Sequence, residues 1–411
     1  TTGLAHYFEH LMFKGTSQFG TTDYEAEKPL LDEIEMLFEV YRRIPEEAAR
    51  RAIYRRIDSL SYEASKLSIP NEYDKLMSII GADGTNAYTT KDMTVYIEDI
   101  PSNRIEQWAR IEADRFRDPV IRGFHTELET IYEEKNMSLT NDNRKIMEAV
   151  DAALFPNHPY GRQTVLGSQE SLRNPSITNV KNYHATYYVP NNMAVCLSGD
   201  FDPDRMIEVI DRYFGDMEPG AEVPELRFEP EAPITEPVVR RVYGTDAESV
   251  VLAWRTGGAA TPDADMAELV GNILYNGKAG LLDLALNQKQ QVLKSDAGAY
   301  VRADYGMISV EGRPKAGQSL EQVRDLLLAQ VARLREGDFD ERLMQTLRTN
   351  EGRADLYIES FINGTPWAET VHRTERMARV TKEQVVAWAR ENLGADSYAI
   401  VFKRQGPDPT V

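Results

Sequence analysis

His6, Glu9 and His10, close to the start of the chain, have the residue types and spacing of a hydrolytic metal site. His6 and His10 are four residues apart, one helical turn, so both imidazoles reach a single ion from one helix face. Glu9 lies three residues after His6 on that same side, placed to take a proton from a water held by the ion. Zinc in catalytic sites takes three protein ligands and keeps a fourth position for water, whose acidity it raises. H-x-x-E-H supplies only two ligands, so a third has to come from elsewhere. Two histidines at this spacing also arise by chance. A glutamate at the required place, in a chain with six histidines, favours metal.

A second acidic helix is expected over Phe124 to Asn136. Glu127 and Glu134 are seven residues apart, two turns, and share a face with Ile131 between them. A carboxylate from this helix would complete a His, His, Glu set. The plain alternative is a solvated acidic face, which is the reading given to Glu129 and Glu133.

The order H-x-x-E-H is the zinc-peptidase motif reversed, the inverzincin pattern. It continues as Gly3 to Thr16, Gly-Leu-Ala-His-Tyr-Phe-Glu-His-Leu-Met-Phe-Lys-Gly-Thr. Asn86-Ala87-Tyr88-Thr89 and Thr94-Val95-Tyr96 follow, then the Glu127 and Glu134 pair and His158-Pro159-Tyr160-Gly161. Last comes Tyr187-Tyr188-Val189-Pro190-Asn191-Asn192-Met193, running into Gly199-Asp200. In content and order these segments, spread over most of residues 1–216, resemble the M16 family of zinc metallopeptidases. That family includes pitrilysin, insulin-degrading enzyme and the mitochondrial processing peptidases.

The resemblance implies that His6, His10 and Glu134 hold Zn2+, that Glu9 is the general base, and that Glu127 supports the ligands from beside the site. It implies a peptide or unfolded-protein substrate whose backbone pairs with a strand at Asn86 and Ala87; an ordinary turn after Gly81 and Gly84 is the alternative for Asn86. Active members also draw an Arg and a Tyr from a later domain. The comparable stretch here, Leu286 to Ser295, has neither at the expected place, and nearby Tyr300, Arg302 and Tyr305 receive no assignment. The expectation is a zinc-bearing half that needs a second M16-like half, either a partner subunit or further chain. A non-catalytic M16-like scaffold or peptide-binding subunit is the rival, opposed by the complete His6, Glu9, His10 and Glu134 set. Likeness to large two-half bacterial members points to the periplasm or cell envelope, and composition alone fixes no compartment.

The elements that must position these residues fit 411 residues with two or three domains. A formal net charge of −19, from 66 acidic against 47 basic residues, argues against nucleic acid or an anionic membrane as partner. No stretch reaches the apolar length of a membrane span. The single cysteine, Cys196, excludes an internal disulfide and is expected as a buried small hydrophobe.

The fold class expected is α+β: two similar M16-type domains, each an antiparallel-rich sheet packed with helices, together one half of a clamshell. The first would run over 1–216, shortened by its first strands because the chain opens directly on the site helix. Within it, about 24–75 reads as a helical-hairpin insertion. Leu30, Leu31, Ile34, Leu37, Phe38 and Tyr41 form one stripe, and Pro45 opens a second helix through Ile53, Ile57 and Leu60. A surface elaboration and a lid or substrate-selecting element are the two readings of that insertion. A Pro- and Glu-rich linker follows at 217–238, the second domain at 239–403, and a tail or linker start at 404–411. Strands are expected at Thr94 to Glu98, Met193 to Gly199, Val250 to Trp254, Ala297 to Ala303, Met307 to Glu311 and Tyr398 to Phe402. Helices begin at Ile177 and near Thr381, the latter capped by Thr381 with Gln384 three residues on.

Overall fold

Gly3 opens the first helix at φ +85°, a conformation glycine takes without strain, and a Cβ there would meet the Leu166 carbonyl oxygen at 2.7 Å. The structure, a computed structural model, describes residues 3–169, 172, 174–345 and 353–409. In chain order come α1 (Leu4–Leu11), α2 (Tyr24–Arg43), α3 (Glu47–Ser65), α4 (Glu72–Ile80), β1 (Asp83–Thr89), β2 (Thr94–Asp99), α5 (Ile105–Arg117) and α6 (Phe124–Thr140). Next are α7 (Asp142–Leu154), α8 (Ile177–Tyr187) and α9 (Pro203–Phe214), then β3 (Val238–Gly244), β4 (Ser249–Gly257) and α10 (Asp263–Leu274). β5 (Lys294–Val301), β6 (Tyr305–Arg313), α11 (Leu320–Glu336), α12 (Lys382–Asn392) and β7 (Ala399–Gln405) complete the labelled elements. The class is α+β with antiparallel-rich sheets, as expected.

Two compact units share the chain. One runs to Met137 and resumes over Gln163–Leu226; the other takes Ser138–Arg162 and the chain from Arg227 onward. So α7, which the sequence alone places within 1–216, belongs with the second unit. Its Ile146, Val150, Ala153 and Leu154 pack on Val242, Val251, Ala253, Ala399 and Val401 of the sheet there.

In the first unit, β1 and β2 form a two-stranded antiparallel hairpin. The strand expected at Met193 to Gly199 is not one: residues 193–198 carry no strand assignment, and no described strand pairs with them. Apolar content makes a segment extended, but a strand needs a partner's hydrogen bonds. Cys196 there is half-buried rather than buried.

The helical hairpin is present, with α3 starting at Glu47, two residues past Pro45. Asp23 caps α2 by accepting from the Ala26 N–H at 3.0 Å. Ile34 and Phe38 of α2 and Ile57, Leu60 and Ala64 of α3 enter the same apolar cluster as Tyr7, Phe8 and Leu11 of α1, Met12 just after it, and Phe124 and Ile131 of α6. The hairpin is therefore part of the core beneath the site helices, which goes beyond either reading of it as a surface feature.

The second unit holds a five-stranded sheet in the order β3-β7-β4-β6-β5, with only the β3–β7 pair parallel. β4 is apolar at successive positions because both its faces are covered. Val250, Leu252 and Trp254 meet the cluster of α10, α11 and α12, whereas Val251 and Ala253 face α7. Thr381 and Gln384 make the reciprocal capping box at the start of α12. Residues 217–237, before β3, have no regular structure. No helix among the described residues is long and apolar enough to cross a membrane.

Candidate active site

α1 presents His6 and His10 on one face, with Tyr7, Phe8 and Leu11 buried around them. α6 lies against it: the Tyr7 hydroxyl donates to the Phe124 carbonyl oxygen at 2.5 Å, tying the two helices across 117 residues of chain. Ile131, fully buried, sets the face of α6 on which Glu127 and Glu134 stand. Glu129 and Glu133 are exposed.

His6, His10 and Glu134 come together. The two Nε2 atoms are 3.3 Å apart, and Glu134 Oε2 lies 3.8 Å from that of His6 and 3.6 Å from that of His10. Among the described residues this is the one cluster of three or more His, Cys, Asp or Glu able to hold an ion, with ligand atoms within 4.8 Å of one another. Ligands about 2 Å from a tetrahedral zinc are about 3.3 Å apart, so the donor set fits the ion in type, number and spacing. The Glu134 side chain is 39% exposed against 14% and 19% for the histidines, so the cluster opens to solvent on its carboxylate side.

Glu127 accepts from His10 Nδ1 at 2.8 Å through Oε1, while Oε2 takes the Lys14 ammonium. Its burial pushes the carboxyl up, but the hydrogen bonds and charges of His10 and Lys14 hold it below its ordinary value. For His10, burial pulls the imidazole down, and the Glu127 hydrogen bond with the charges of Glu134, Glu127 and Glu9 outweighs it; the net direction is up. Nδ1 donating to a carboxylate leaves Nε2 as the lone-pair nitrogen, the tautomer a metal ligand requires.

Glu9 is buried, and its Oε2 accepts from the Thr89 hydroxyl at the end of β1. Burial lifts its carboxyl above the ordinary value; the Thr89 hydrogen bond and His10 pull it back, and the Glu134 charge adds to the rise. Thr89 in turn meets the Thr94 hydroxyl at 3.1 Å across the hairpin. Asn86 is exposed on β1, and Ala87 half-buried. β1 pairs with β2 on one side and with no other described strand. The Ala87 N–H is held by the Asn86 side-chain oxygen at 2.9 Å.

Sequence reasoning missed Thr89, Lys14 and Arg122. Thr89 had a signal: it is two residues past Ala87, so both point to one face of β1. Lys14 and Arg122 had none, since their partners are over 90 residues away. Arg122 is buried just before α6, with Nε on both Glu27 oxygens at 2.9 and 2.8 Å and Nη2 on the Thr16 carbonyl at 2.7 Å. It ties α2 to the turn after α1. In the second unit, Arg302 pairs with Asp151 at 2.8 Å and the Tyr305 hydroxyl accepts from the Glu231 N–H at 3.1 Å, so both serve the packing there.

Residues 176–351 match the family described as the Peptidase M16 inactive domain, a stretch that does not include His6, His10 or Glu134. An uncharacterized zinc protease of Mycobacterium leprae is 23% identical over 364 residues, covering 82% of this chain and 79% of its own. The crystal structure of a protease from Helicobacter pylori matches with a TM-score of 0.79 at 16% identity, over 98% of this chain and 89% of that one. Pitrilysin matches with a TM-score of 0.69 at 16% identity, with 98% of this chain covered but only 40% of pitrilysin. These likenesses agree with the order of the sequence motifs: the chain is similar to M16 peptidases in sequence and in fold.

Proposed function

We propose that the first unit is a zinc peptidase site hydrolysing peptides or unfolded polypeptides. The observation that carries this reading is the His6, His10 and Glu134 triangle, with ligand atoms within 4.8 Å of one another beside a buried Glu9. A zinc ion there would act as a Lewis acid on the scissile carbonyl and raise the acidity of a water. Glu9, lifted by burial towards the range of a working base, takes the proton of the attacking water and returns it to the leaving amine. Thr89 holds one Glu9 oxygen and leaves the other for that proton. Glu127 fixes the His10 ring.

An extended substrate lies along β1, where a substrate carbonyl replaces the Asn86 side chain on the Ala87 N–H. Main-chain pairing of this kind accepts many side chains, which suits a broad peptide substrate. The Arg and Tyr absent from Leu286 to Ser295 would come from a second M16-like half. Support for that is the coverage of pitrilysin, of which this chain matches 40%.

Elemental analysis of the purified chain, beside Glu9→Gln and Glu134→Gln variants and with a fluorogenic peptide assay, tests the reading. Expected are about one zinc per chain in the parent and in Glu9→Gln, loss of zinc in Glu134→Gln, and cleavage that requires Glu9. Zinc without cleavage by the parent indicates a site awaiting its other half. A parent without zinc overturns the reading.

A further inference from the structure

Two carboxylates flank His10, Glu127 at 2.8 Å from Nδ1 and Glu134 at 3.6 Å from Nε2. They are chemically alike and stand on one face of α6, yet only one of them faces the histidine pair as a third ligand. What separates their roles lies on the other side of Glu127. We propose that Lys14 is a positioning residue of the metal site, whose ammonium reserves Glu127 for His10 and so leaves the ion to Glu134; this rests on the zinc reading above.

Lys14 lies three residues past the end of α1, and its backbone is pinned twice. Its N–H donates to the Leu11 carbonyl at 3.1 Å, and its own carbonyl accepts from Arg122 Nη1 at 3.2 Å. Gly15 then turns the chain away at φ +92°. The ammonium thus reaches Glu127 from a fixed base and engages Oε2 while Oε1 stays on His10. Each Glu127 oxygen has a cationic or N–H partner, and the carboxylate, whose side chain is 10% exposed, is held in one orientation. Without the ammonium, a buried carboxylate beside an ion's position gains by turning towards the ion, which would release the His10 ring and set two glutamates in competition. Outer partners of this kind are worth about tenfold to a hundredfold in metal affinity.

A double-mutant cycle read by zinc affinity, with a chromophoric chelator as competitor and circular dichroism to confirm folding, tests the proposal without recourse to activity. Lys14→Met is expected to weaken zinc binding about tenfold to a hundredfold in the parent, and less than about threefold in a Glu127→Gln background. Lys14→Arg, which keeps the charge, is expected to stay within about threefold of the parent. Equal zinc affinity in Lys14→Met and the parent overturns the role of Lys14 alone, as does a loss of the same size in both backgrounds. A parent that takes no zinc removes both this role and the site itself.

Discussion

The Thr89 hydroxyl donates to Oε2 of Glu9, 80 residues away in the chain, so the end of the exposed strand touches the candidate base directly. Asn86 and Ala87, where substrate backbone is proposed to pair, lie three and two residues back on the same strand. On the proposed reading, one hairpin would set both substrate register and base orientation.

Thr89→Val keeps the shape and removes the donor. A hydrogen bond to a charged group is worth about 1.5–3 kcal/mol, so kcat on a fluorogenic peptide should fall roughly tenfold to a hundredfold with KM little changed. Thr89→Ser should retain most of the parent rate. Equal rates for Val and the parent would remove Thr89 from the mechanism.

Zinc should stabilise the folded chain because the ligand set exists only when α1 and α6 are packed. Free zinc at about a hundredfold over its Kd contributes about 2.7 kcal/mol. Differential scanning calorimetry should show a higher Tm with zinc, reversed by chelator. In His10→Ala the shift should vanish, and its persistence would place the stabilising ion elsewhere.

Glu112 gives a pH dependence of stability. Tyr73 Oη is 2.9 Å from Glu98 and 2.8 Å from Glu112, yet has one proton to donate, and a single buried Arg115 faces both carboxylates. Burial pushes Glu112 up from 4.5 to about 7; Arg115 opposes this and the Glu98 charge adds to it. Since the folded value lies above the unfolded one, this contribution is complete below about pH 4.5 and fades as pH rises through about 7. It amounts to at most about 3 kcal/mol. Thermal stability should fall between about pH 4.5 and 7.5 and level off above that, and Glu112→Gln should flatten that slope. An unchanged slope in the variant would assign the effect to other groups.

The Arg122–Glu27 pair predicts a fold defect. Its side chains are 3% and 1% exposed, so Glu27→Gln leaves a buried cation half-compensated and should cost about 3–5 kcal/mol in urea unfolding. A loss below about 1 kcal/mol would mean that the pair is solvated in solution.

How far the sequence carried depended on the range of the interaction. Helix period put His6 with His10 on one face and Glu127 with Glu134 on another, while the choice of Glu134 as the carboxylate that meets the histidines came from the resemblance to the M16 family. Likewise the capping box at Thr381 and the apolar run of β4 follow from neighbours in the chain. Lys14 meets Glu127 across 113 residues and Arg122 meets Glu27 across 95, and no local pattern announces such pairs. The segment at 193–198 erred the other way: its apolar content suited a strand, but pairing belongs to two segments at once.

The excursion of residues 138–162 into the second unit means that the polypeptide crosses between units at 137, 162 and 226. No single cut yields either unit intact. Ending a recombinant fragment at residue 216 would carry α7 away from its sheet, leaving Ile146, Val150 and Leu154 bare on the fragment and an uncovered sheet face on the remainder. Excision would have to be a re-plumbing, with 138–162 replaced by a short bridge in one product and grafted ahead of residue 227 in the other.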